Sequence, residues 1–215
     1  MHSWSLRRLL TAAAFLVLLA GRATAHPHVW IDVTVEVIFE QGQVTALRQT
    51  WLFDDYYTAY ATEGMDEDGD GQPDAARLQE LLEENMGNLE EYGYFTEVTS
   101  GGSVVPFGPV AEMASRMTAA RLEMTFLLPL AEPLDVRDRA MVYAIFDPTY
   151  YIEMLHAERT DAVGLSAAPA GCSAHLQKPD PTVEATSLAA ALDRTQSAGN
   201  GLGGLFAERV TVRCP

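Results

Sequence analysis

His26 and His28 stand on either side of Pro27, two imidazoles within three residues in a chain that has only five histidines. Imidazole is a borderline ligand that suits zinc, nickel, cobalt and copper. If the chain is cut after Ala25, His26 also gains a free α-amine and can chelate through that amine and its own ring. The planar copper or nickel geometry of amino termini needs deprotonated backbone amides at the next two residues. Pro27 has no N–H, so that geometry is excluded. Any site here must recruit donors from the folded body, and the candidates are Asp54, Asp55 and His156.

A second set of ligating groups is harder in character. In Asp66-Glu67-Asp68-Gly69-Asp70-Gly71-Gln72-Pro73-Asp74, Asp66, Asp68 and Asp70 fill the first, third and fifth positions of the helix-loop-helix calcium template. Gly71 supplies the turn at the sixth, Gln72 a carbonyl at the seventh, and Asp74 the ninth. The twelfth position is Arg77, where the template has a bidentate Glu. Affinity for calcium is then expected at the weak end, about 0.1–1 mM, with Glu80 one turn further on as a substitute donor.

The N-terminal segment explains how His26 comes to lead the chain. Arg7-Arg8, the apolar run Leu9 to Ala20 and the small-residue motif Ala23-Thr24-Ala25 have the three-part layout of a secretory signal. Cleavage after Ala25 places a single domain, residues 26–215, in the bacterial periplasm. It removes three of the 14 basic residues and none of the 30 acidic ones, leaving a net charge of −19. Such a surface repels phosphate and excludes nucleic acid as a partner. The two cysteines, Cys172 and Cys214, are expected as a disulfide in that oxidising compartment.

The elements that must position these groups are legible from periodicity. Val29, Ile31, Val33, Val35, Val37 and Phe39 alternate with polar residues, and a second extended run covers Val44 to Phe53, so the domain opens with a β-hairpin. Asp54 begins a helical stretch, and Leu78, Leu81, Leu82, Met86 and Leu89 fall at helical spacing over about 74–91. Further strands are expected at Tyr94–Thr99, Val104–Phe107, Leu122–Leu128, Met141–Phe146, around Tyr150–Ile152, and at Glu208–Arg213. A short helix is expected over Ser187–Thr195. The fold class is α+β, mainly antiparallel β and sandwich-like, with a helix-loop-helix insertion at about 54–92. No nucleophile elbow, phosphate loop or zinc-protease motif is present and no small organic substrate is evident, so catalysis is not expected.

Five motifs in order carry a resemblance: Ala25 to Asp32 (AHPHVWID), Trp51 to Tyr57 (WLFDDYY), Asp68-Gly69-Asp70-Gly71, Tyr92 to Thr96 (YGYFT) and Phe146 to Tyr151 (FDPTYY). Together they resemble a family of exported bacterial proteins catalogued as domain of unknown function family 1007. The resemblance implies a periplasmic accessory protein working with an inner-membrane permease of the nickel/cobalt type, with zinc handling in related systems. The alternative is a non-catalytic β-sandwich adaptor that docks on such a permease and uses calcium only as a structural ion. The family usually places an acid where this chain has Arg77.

Overall fold

A computed structural model describes residues 27–192 and 201–215. His26 and the end of the expected Ser187–Thr195 helix lie outside the described residues. Strand β1 (Val29–Glu40) and strand β2 (Gln43–Phe53) form the expected hairpin. Gln41 and Gly42 turn it, both with positive φ. Helix α1 (Asp55–Ala61), the acidic loop and helix α2 (Ala75–Leu89) follow, then a 3-10 segment (Glu90–Phe95). Next come β3 (Thr96–Ser100), β4 (Ser103–Val104), β5 (Ala111–Thr118), β6 (Arg121–Leu134), β7 (Met141–Ile145), β8 (Ile152–His156), β9 (Val163–Ser166) and β10 (Ser173–Gln177). Helices α3 (Val183–Ala191) and α4 (Leu202–Phe206) and strand β11 (Arg209–Arg213) complete the order.

The strands form two sheets. The first has the order β5-β6-β2-β1-β8, and β9 continues beside β1 past the end of β8. The second has the order β10-β11-β7-β3-β4. Pairing is antiparallel except along β1, where β8 and β9 run parallel. The fold is α+β and sandwich-like, as the alternation predicts.

Alternation also decides which residues meet between the sheets. Val33, Val35 and Val37 from β1, Leu47 and Trp51 from β2, Met124, Phe126 and Leu128 from β6, and Met141, Tyr143, Val210 and Val212 from the second sheet are all buried. A fully buried Leu or Phe stabilises by about 1.5–3 kcal/mol relative to exposure, so this core dominates the fold. Gln49, at 0% exposed, is the most deeply buried of the polar residues described. It accepts from Trp51 Nε1 (3.0 Å) and donates to Thr96 Oγ1 (2.9 Å), which satisfies a group that would otherwise be costly to bury.

The helical insertion covers part of the sandwich. Leu78, Leu82 and Met86 of α2 are buried at i, i+4, i+8, the inward stripe expected from their spacing. The disulfide joins Cys172 to Cys214 and ties the segment before β10 to the end of β11. Among the described residues, no helix is long and apolar enough to cross a membrane.

Several boundaries differ from the sequence reading for physical reasons. Tyr94 and Phe95 belong to a left-handed turn, not to a strand, and β3 begins at Thr96. Val104–Phe107 is strand only at its start, because Pro106 lies where the chain crosses toward the first sheet and Phe107 forms a bridge to Leu130. Strands β5, β9 and β10 escaped notice because their residues are short, small or only half-buried.

Candidate metal-ligating sites

The acidic loop is built by its own side chains. Asp66 Oδ1 accepts from the Gly69 N–H (2.8 Å) and Oδ2 from the Gly71 N–H (3.0 Å). Asp68 Oδ1 accepts from Asp70 N–H (3.1 Å), and Asp70 Oδ1 from Gln72 N–H (2.8 Å). Each carboxylate thus folds the backbone inward two to five residues ahead. Gly69 and Gly71 take φ of 78° and 86°, values that a β-carbon disfavours. Asp74 closes the loop: its Oδ2 accepts from Glu67 N–H (2.9 Å) and its own N–H donates to Met65 (2.7 Å).

Carboxylate oxygens of Asp66, Asp68 and Asp70 lie within 4.8 Å of one another, all on exposed residues. Three hard oxygen donors at that separation fit calcium better than a transition metal. The Gln72 side chain donates to the Gly71 carbonyl (2.9 Å). Arg77 does not enter the cluster as a donor; its guanidinium pairs with Glu67 (3.3 Å) and Glu80 (2.6 Å). Glu80, the substitute donor suggested by spacing, is therefore engaged with Arg77.

The transition-metal candidates are dispersed. His28 opens β1: its N–H donates to the Tyr151 carbonyl (2.9 Å), and the two rings lie 4.9 Å apart. Asp54 caps α1, accepting from Tyr56 and Tyr57 N–H on Oδ1 and from Trp30 N–H on Oδ2. That carboxylate already bends the chain from β2 into α1, with Asp55 in the first helical turn.

His156 is not beside His28. On β8 it pairs with Val33 of β1, five residues further along the chain than His28, about 16 Å at strand rise. Both of its ring nitrogens are occupied, Nδ1 by Glu208 Oε2 (2.9 Å) and Nε2 by the Tyr143 hydroxyl (3.1 Å). The His156 N–H donates to the same Glu208 oxygen (2.7 Å). Burial alone would raise the Glu208 carboxyl, but hydrogen bonds and charge from His156, with Lys178 adding charge, hold it below its usual value. This Tyr143–His156–Glu208 group joins β8 of one sheet to β7 and to the residue just before β11 in the other. The long separation between residues 143, 156 and 208 hid it from the sequence.

A two-sheet sandwich with an acidic helix-loop-helix insertion is the class that the fold and the loop define. The chain belongs to the family described as protein of unknown function (DUF1007), whose model matches residues 11–214. It is 27% identical over 193 residues to an uncharacterized protein of Haemophilus influenzae, a match covering 88% of this chain and 91% of that one. No solved structure matches.

Proposed function

We propose that this protein is an exported, non-catalytic accessory protein that binds a divalent cation, with calcium held by the acidic loop. One observation supports the reading above the others: Asp66, Asp68 and Asp70 present converging carboxylate oxygens at the template positions expected for a calcium loop. With Arg77 in place of the bidentate acid, binding is weak, about 0.1–1 mM. Calcium at that strength orders the α1–α2 insertion in a compartment open to external calcium, and the sandwich carries the contacts to a membrane permease.

Calorimetric titration of the processed protein tests this. Calcium should bind at one site per chain, and Asp66→Asn or Asp70→Asn should abolish the heat. Undiminished binding in both variants, or no binding to the parent, would sink the assignment.

A second reading keeps a transition metal at the N-terminus. His28 is fixed immediately before β1 by its bond to Tyr151 and by the ring contact there. His26, His28 and any donor near Tyr151 or Asp54 would then take zinc, nickel or cobalt for delivery to the permease, without His156. In tag-free protein beginning at His26, His28→Ala should weaken zinc, nickel and cobalt binding while leaving the calcium heat intact. Equal affinities in parent and variant would remove this site.

A further inference from the structure

Three adjoining cavities meet where the insertion ends on the mouth of the sandwich. The first, about 320 Å³, is walled by Tyr92, Phe95, Phe107, Phe146, Pro106 and Pro148. The second, about 310 Å³, shares Tyr92, Phe95 and Pro148 and adds Asn88 and Leu89. The third, about 160 Å³, shares Asn88, Leu89 and Phe95 and reaches inward to Trp51 and Tyr57. Shared walls place the three side by side along residues 88–95, a row of recesses that forms a groove at this edge of the insertion. Apolar recesses in a row suit successive side chains of an extended peptide better than a compact metal complex.

The segment that forms the hub of the groove is held in an unusual backbone state. Gly93, Tyr94 and Phe95 take φ of 59°, 54° and 52° in succession, a left-handed region that aromatic residues avoid. That turn buries Tyr94 and leaves Tyr92 55% exposed over the groove. Strain of this kind at consecutive residues persists where surrounding structure enforces it, and it concentrates at binding and switch sites.

Charge indicates the occupant. No lysine or arginine lines any of the three cavities, while Glu97 lines the first. Glu90 and Glu91, immediately before Tyr92, are exposed. Asp147, at the second cavity, has its carboxylate engaged in accepting from the Thr149 hydroxyl and the Ile152 N–H. The whole chain carries 30 acidic against 14 basic residues. Aromatic and proline walls accept prolyl and aliphatic side chains, and aromatic faces with nearby carboxylates favour Lys and Arg over neutral or acidic groups.

We infer that this groove docks an extended segment of a partner protein, with proline or aliphatic residues in the cavities and lysine or arginine at the acidic rim. The site goes beyond cation binding and involves neither the acidic loop nor the histidines.

The test is selection of a displayed random dodecapeptide library on the processed protein, followed by fluorescence anisotropy with the synthesised winners. Enriched sequences should combine Lys or Arg with Pro or aliphatic residues. Tyr92→Ala and Glu97→Lys, both at exposed positions, should each weaken binding at least ten-fold with unchanged thermal melting. Val183→Ser, an exposed apolar residue lining none of the cavities, should leave affinity unaltered. Failure to enrich, winners lacking basic residues, or undiminished affinity in the Tyr92 and Glu97 variants would overturn the proposal. So would Tyr92-dependent binding to phosphatidylcholine vesicles in place of peptides.

Discussion

Glu208 and His156 make the same demand on the core: each is a polar group that burial penalises, and each is satisfied by the other. Because the folded Glu208 carboxyl is held below its ordinary value of 4.5, its contribution to stability is fully present above that unfolded value. It is lost as pH falls through the lower, folded value. Glu208→Gln should therefore flatten the acid limb of a stability-versus-pH curve below about pH 4.5, measured by urea denaturation at stepped pH. His156→Ala, which strands the buried carboxylate, should cost about 3–5 kcal/mol near neutrality. An acid limb in Glu208→Gln as steep as the parent's would assign the pH dependence to other carboxylates. At this scale the acidic loop was readable, because its ligands are local in sequence. The Tyr143–His156–Glu208 group was not, since only the sheet pairing brings together residues from three separate strands and turns.

At the scale of elements, the turn after β7 is a small assembly in its own right. Asp147 folds it by accepting from the Thr149 hydroxyl and the Ile152 N–H, and Tyr150 stacks on Phe206 of α4 with ring centroids 4.0 Å apart. Helix α4 can approach that closely because of Gly203, whose absent β-carbon would fall on the Asp147 carbonyl oxygen. Gly203→Ala should push α4 off the turn and lower stability by about 1–3 kcal/mol, read from the midpoint of chemical denaturation. A midpoint equal to the parent's would show that α4 has room to shift. The disulfide acts on the same C-terminal region, closing a loop with a sequence separation of 42. Replacing both Cys172 and Cys214 by serine should cost about 4 kcal/mol on the chain-entropy account, less any strain relieved. Hairpin β1–β2, the leucine stripe of α2 and the core half of β6 were legible because burial imposes strict periods of two or of three to four. Strand β5 was not: in Ala111–Thr118 half-buried and exposed residues alternate, and Met113 and Met117 are its only large apolar side chains, so its strand character comes mainly from pairing with β6.

For the molecule as a whole, the acidic surface and the acidic loop belong to one electrostatic design. A chain with net charge −16 concentrates cations at its surface, which would favour occupation of the weak calcium loop proposed above. Ion binding to the folded state alone stabilises it by about 2.7 kcal/mol when calcium is a hundred times its dissociation constant. Calcium bound as proposed would place that gain on the insertion, since helix α2 is preceded directly by Asp74 and ends at the groove residues Asn88 and Leu89. The measurement that bears most directly on calcium binding by this loop is hydrogen–deuterium exchange of the processed protein with calcium and with chelator. Slower exchange at Gly69, Gly71 and Gln72 and in the first turn of α2 on adding calcium, absent in Asp68→Asn, is the result expected. Identical exchange across residues 62–78 in the two conditions, or protection that persists in Asp68→Asn, would contradict it.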